Sequence, residues 1–141
     1  MKKITLITFV LLSIVVLFGC RGSQEGRLVG YWKQVPFTAP ETTLRTYYWQ
    51  FYAGNTIVRE TYIDNEISDS TDYTYSIDGS ILHIFPTTDE QELSYEPGSG
   101  EPMGEFWVDL LTKEAMKATR VKHPDGTEDA AFLRIELIKV Q

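Results

Sequence analysis

Only one cysteine occurs in the 141 residues, at position 20. A single thiol excludes any disulfide within the chain, so the fold has to stand on packing. Histidine is almost as scarce, and no Cys/His set has metal-ligand spacing, so no metal site is expected. Basic residues are outnumbered, 13 against 20 acidic, giving a formal net charge of −7. That balance excludes nucleic acid as a partner, because phosphates require a basic footprint. No serine carries the glycine pattern of a nucleophile elbow. His83 lies mid-strand and faces outward if Leu82 and Ile84 face in, and His123 opens a turn without a nucleophile near it in sequence. Both read as structural, so neither catalysis nor a cofactor is expected. Long apolar runs are missing too, except one at the start.

That run spans Ile4 to Phe18, follows Lys2 and Lys3, and stops at Gly19-Cys20. A short positive region followed by an apolar one is the layout of a secretory signal. The run falls short of the ~20 apolar residues of a spanning helix and is interrupted by Thr5, Thr8 and Ser13. Leu17-Phe18-Gly19-Cys20 resembles the lipobox of bacterial lipoproteins, with Phe18 bulkier than the pattern prefers. The resemblance implies that residues 1–19 are a signal peptide and that Cys20 carries palmitate-type acyl chains. Two or three such chains hold a membrane stably, at ~0.8 kcal/mol per buried methylene. With Arg21 rather than Asp after the cysteine, it implies placement in the cell envelope at the outer membrane. Removing residues 1–19 from 141 leaves 122, which with Lys2 and Lys3 gone carry a net charge of −9. Residues 20–26 are small and polar and read as a lipidated tether, and 27–141 as one domain.

Beyond the tether the chain reads as strand after strand. Segments 28–35, 45–52, 56–63, 71–77, 80–85, 105–111, 115–122 and 131–140 are rich in aromatic and β-branched residues between turn signals. The connections alternate in length. "PFTAPETTL", "DNEISDS", "PTTDEQELSYEPGSGEPMG" and "HPDGTEDA" are long, while "AGN", "DG" and "TKE" are tight. In an up-and-down meander alternate connections fall at opposite ends, so every long loop lands on one rim. Such a rim is where a rigid scaffold carries function. The fold class expected is all-β, an eight-stranded antiparallel up-and-down barrel.

Leu28-Val29-Gly30-Tyr31-Trp32 is similar to the Leu-x-Gly-x-Trp opening of small lipocalin-like (calycin) bacterial lipoproteins. Phe51 to Asn55, then Tyr75, Ile77, Gly79 and Leu82, then Leu111 to Met116 follow in the order that family shows. The resemblance implies a lipocalin-like barrel closed at its narrow end by Trp32, with Arg134 of the last strand as candidate packing partner. Gly30 would let the first strand bend and be approached closely. Alternation places Tyr47, Trp49 and Phe51 on one face, Tyr73, Tyr75 and Ile77 on one face, and Leu133, Ile135 and Leu137 on one face, all expected inside.

Two functions follow. The first is non-enzymatic binding of a small apolar ligand at the long-loop rim, with Phe37, Tyr47, Tyr62, Tyr73, Tyr95 and Phe106 as candidate ligand contacts. The alternative is a structural or interaction lipoprotein with a filled barrel. Its acidic rim, built from Asp64, Glu66, Asp69 and Asp72 on one loop and Asp89, Glu90, Glu92 and Glu96 on another, would meet a basic envelope or host protein. A cavity above ~300 Å³ between the loops starting at Pro36 and Pro86 favours the first, and a filled interior the second.

Overall fold

The computed structural model describes residues 24–36 and 45–141, so Cys20 and Phe37 lie outside the described residues. Strands β1 (Gly30–Gln34), β2 (Arg45–Tyr52), β3 (Thr56–Ile63), β4 (Glu66–Asp78), β5 (Ile81–Pro86), β6 (Gly104–Leu111), β7 (Ala115–Lys122) and β8 (Arg134–Lys139) pair in sequence order. The antiparallel pairing of β1 with β8 closes the barrel, with Trp32 opposite Lys139. Closure pairs every strand on both sides over the barrel itself, and the start of β4, before Tyr73, lacks a partner in β5.

Period-two patterning decides which side chains go in. Trp49 and Phe51, Ile57, Tyr73, Tyr75 and Ile77, Leu82 and Ile84, Phe106, Met116 and Ala118, Ile135 and Leu137 are all buried, each from its own strand. The Phe51 ring meets Tyr75 edge-on at 5.3 Å and lies beside Trp49 at 6.2 Å, so large rings fill most of the interior.

One end is sealed. Residues 24–28, where the expected tether meets the domain, form a helical turn beneath the barrel. Gln24 Nε2 donates to Gly79 O at 3.1 Å, and Leu28 is fully buried. Trp32 is 0% exposed, and its indole N–H donates to Leu28 O at 2.7 Å. The expected partner, Arg134, does not reach it. Arg134 begins β8 opposite Thr119, is exposed, and belongs to the far end of the strand. Lys139 takes the place instead, its ammonium 4.9 Å from the Trp32 ring centroid and donating to Val29 O at 2.9 Å. Gly30 makes room for it, since at φ 140° a Cβ there would run into Lys139 Cε.

The other end differs from expectation in three places. "DNEISDS" is not a loop. Asp64 and Asn65 alone make the turn, with φ of 52° and 68°, and β4 starts at Glu66. Positive φ at both central residues is what a tight hairpin turn requires, and Asn and Asp tolerate it. The hairpin overshoots the barrel, with a bulge between Thr61 and Tyr62, so Glu66 to Ser70 are exposed on both faces and show no apolar alternation. Second, the connection from β5 to β6 contains a short helix, Asp89–Leu93, where only loop was expected. Thr88 caps it by accepting from Gln91 N at 3.2 Å, and Gln91 Oε1 accepts from Thr87 N at 2.8 Å, a box-like exchange. Third, 131–133 are not strand, and Phe132 sits exposed at φ 51°. Among the described residues no helix is long and apolar enough to cross a membrane.

Gly104 opens β6 at φ 120°, and a Cβ there would collide with the backbone oxygen of Lys122 across the β6–β7 pair. Gly104→Ala is therefore expected to lower the unfolding free energy by roughly 1–3 kcal/mol from backbone strain, with the collision adding to it. Urea denaturation of the full-length chain checks this, and a midpoint equal to that of the parent would contradict the close approach.

Candidate functional site

At the open end the interior is not quite full. A cavity of ≈ 200 Å³ is lined by Gln34 at the end of β1, Tyr47 and Trp49 of β2, and Arg59 of β3. Its remaining walls are Ile135 of β8, Leu133 just before it, and the segment from Ser99 to Pro102. It lies between the end of β1 and the long β5–β6 connection, which folds back over the mouth and buries Pro102 and Met103. The remainder of the barrel below it is packed.

Arg59 is the unusual member. Register places it opposite Trp49, and alternation with the fully buried Ile57 turns it inward. Its guanidinium stands 5.2 Å from the Tyr47 ring centroid, 5.8 Å from that of Tyr73 and 6.0 Å from that of Trp49. Three π faces attract a cation. They do not supply acceptors, and the guanidinium makes one long hydrogen bond, from Nη1 to Gly100 O at 3.5 Å. Arg59 Nε is buried and has no hydrogen-bond partner among the described residues. The walls around it are partly fixed by polar contacts of their own. Trp49 donates its indole N–H to Gln34 Oε1 at 3.0 Å, and Tyr73 donates its hydroxyl to Glu101 Oε2 at 3.1 Å. Burial pushes the Tyr73 hydroxyl well above the usual phenol range, and Glu101 adds to this against the pull of Arg59, so at neutral pH it remains a donor.

A second polar cluster holds the loops that frame the mouth. Arg120 and Asp129 are each 2% exposed and joined by a 2.6 Å bond from Arg120 Nε to Asp129 Oδ2. Arg120 Nη1 also donates to Glu101 O at 2.8 Å and Met103 O at 3.3 Å, reaching into the β5–β6 connection. Asp129 accepts from the backbone N–H of Ala131 at 2.9 Å and Leu133 at 3.3 Å, shaping the β7–β8 connection. Burial alone would raise the Asp129 carboxyl, but the Arg120 bond and these two N–H groups outweigh it and hold it below the usual carboxylate range. Tyr95 adds its ring, 5.9 Å from the Arg120 guanidinium, and a 2.5 Å bond to His123 Nδ1. Burial raises the Tyr95 hydroxyl. His123 Nε2 stands 3.6 Å from Asp129 Oδ1. A hydroxyl therefore does stand next to His123 in space, although none is near it in sequence.

The six candidate ligand contacts separate accordingly. Tyr47 lines the cavity and Tyr73 flanks its arginine. Tyr62 points away, meeting Tyr48 edge-on at 5.1 Å on the outer wall and donating to Glu60 at 3.3 Å. Counting by twos from Arg59 puts Tyr62 outside. Tyr95 belongs to the loop clasp, and Phe106 is a fully buried core residue of β6. Phe37 is outside the described residues. Arg59 was missed because a charge in a strand reads as solvent-facing, yet its spacing from Ile57 was the available signal. His83 does face out, 5.8 Å from the Phe85 ring.

Of the acidic rim residues, Asp69, Asp72 and Glu90 line a shallow, open groove of ≈ 900 Å³ between β4 and the segment from Thr87 to Ser94, with Glu101 at one side. Among the described residues no cluster of His, Cys, Asp or Glu could hold a metal ion.

No protein-family model matches the chain. No curated protein matches it either. In fold it is similar to a lipocalin-like protein from Bacteroides uniformis ATCC 8492, at 13% sequence identity and a TM-score of 0.47, over 82% of this chain and 100% of that one. By its own strand pairing the chain is an all-β protein, a closed eight-stranded antiparallel barrel.

Proposed function

We propose that the protein is a lipid-anchored, non-enzymatic binding protein of the cell envelope that takes a small molecule in the mouth of its barrel. The cavity at the open end carries this reading. Its volume of ≈ 200 Å³ falls short of the ~300 Å³ expected for this function, so the reading holds only for an occupant smaller than a drug-sized one. Tyr47, Trp49, Leu133 and Ile135 give the wall an apolar part that suits an apolar body, and Gln34, Arg59 and Ser99 give it a polar part. The signal-like start and the Leu17-Phe18-Gly19-Cys20 pattern support attachment through Cys20 and residence at the outer membrane. The packed lower barrel and the acidic groove support a second reading, in which the rim docks a basic protein of the envelope or of a host. On that reading the cavity stays empty in the cell.

Mass spectrometry of the full-length chain purified from its native envelope tests both parts. Loss of residues 1–19 with added acyl mass on Cys20, both absent from Cys20→Ala, is expected, together with a small co-purifying molecule that Tyr47→Ala releases. An unmodified Cys20 overturns the anchor. A bound basic protein without any small molecule favours the second reading.

A further inference from the structure

The cavity contains a charge that no described residue neutralises. Among the described residues no carboxylate lies within salt-bridge distance of Arg59; the ion pairs there join other groups, such as Lys117 to Glu136 and Lys122 to Glu105. Glu101 is nearby but accepts from Tyr73. The contrast with Arg120 is direct. That buried guanidinium has a carboxylate at 2.6 Å and two carbonyls, while Arg59 has one carbonyl at 3.5 Å and a buried Nε with no acceptor. A shielded cation without a partner is costly, and a fold normally supplies one. Here no described residue supplies it, although Arg59 lines the cavity.

We infer that the mouth is a receptor for a small carboxylate, with Arg59 taking the carboxylate and Tyr47, Trp49, Leu133 and Ile135 enclosing its apolar body. This rests on the cavity being a ligand site, and it names the chemistry that site selects. A guanidinium presents a planar fork of donors that matches a carboxylate better than a single-point acceptor. The rings around it supply no acceptors, so its N–H groups remain for an anion. Size limits the remainder of the ligand. An apolar cavity of ~150 Å³ accommodates benzene, so ≈ 200 Å³ accommodates one ring with a carboxylate and not a long acyl chain.

Benzoate and its uncharged isostere benzamide, titrated calorimetrically into the full-length protein in detergent, form the test. Benzoate is expected to bind more tightly than benzamide. Arg59→Gln should weaken benzoate by ~10- to 100-fold, the range of a charge-assisted hydrogen bond, and weaken benzamide, whose carbonyl also accepts from the guanidinium, by less. Arg59→Lys, which keeps the charge and loses the fork, should bind benzoate with an affinity between those of the parent and Arg59→Gln. Urea denaturation midpoints close to that of the parent show that the variants are folded. Equal binding of both probes, insensitive to Arg59→Gln, overturns the carboxylate inference and leaves the ligand site standing. Binding of neither probe overturns both.

Discussion

Arg120→Met is expected to lower the unfolding free energy by about 3–5 kcal/mol, the cost of leaving one half of a buried ion pair without the other. Three acceptors lose their donor at once, namely Asp129 Oδ2, Glu101 O and Met103 O. The last two belong to the connection that covers the barrel mouth, so the loss is local as well as global. Amide exchange in Glu101 to Gly104 should speed up before the strands do. A double variant, Arg120→Met with Asp129→Leu, should recover part of the loss, because no unpaired charge then remains buried. Urea denaturation measures each step, and losses that simply add would show that the two side chains do not act as a pair.

Acid gives the same pair a signature. In the parent, the Asp129 carboxyl is held below its unfolded value, so its contribution is present above about pH 4 and disappears as pH falls through the folded value. In Arg120→Met the bond and charge that do most to lower it are gone, while the N–H groups of Ala131 and Leu133 remain, so the folded value rises relative to the parent. The folded variant then holds its proton more tightly than the folded parent, and it loses stability relative to the parent as pH rises through that range. Parent and Arg120→Met therefore diverge between acid and neutral pH, and the deficit of Arg120→Met narrows on acidification. A deficit that stays constant from pH 3 to 7 would contradict the burial of this pair.

The second large effect lies at the opposite end. Trp32→Ala is expected to cost about 3–5 kcal/mol, through lost apolar contact and the void left under the helical turn of residues 24–28. Trp32→Phe keeps most of the volume and forfeits mainly the 2.7 Å bond to Leu28 O, for roughly 1 kcal/mol. Chemical denaturation of both separates sealing from hydrogen bonding. Trp49 and Trp107 remain as fluorescent reporters in each variant. A Trp32→Ala protein within 1 kcal/mol of its parent would mean that the turn collapses into the gap, and that the indole is not the seal.

The barrel was legible because its inner face is written in aromatic and aliphatic residues at every second position, and because closure pairs neighbours in order. Where both faces of a strand meet water, that code is silent. Glu66 to Ser70 extend β4 beyond the barrel, and nothing in "EISD" distinguishes an inside from an outside. The partner of Trp32 was misplaced for a different reason. Antiparallel pairing sets a residue early in β1 against one late in β8, and that is Lys139 rather than Arg134. At the mouth, ring-bearing residues drew attention and the arginine among them did not. Tyr47 and Tyr73 were found by aromaticity, but Arg59 is identified only once the register sets it opposite Trp49. The Arg120–Asp129 clasp joins a residue of β7 to one of the connection that follows it, and no local spacing announces it.

Because β1 begins and β8 ends at the sealed pole, any handle on either side of the barrel grips it by its base. A chain suspended from upstream of Gln24 would thus turn its open mouth away from the support. A tag at Gln141 would orient it the same way on a sensor surface, leaving the mouth free to sample what flows past.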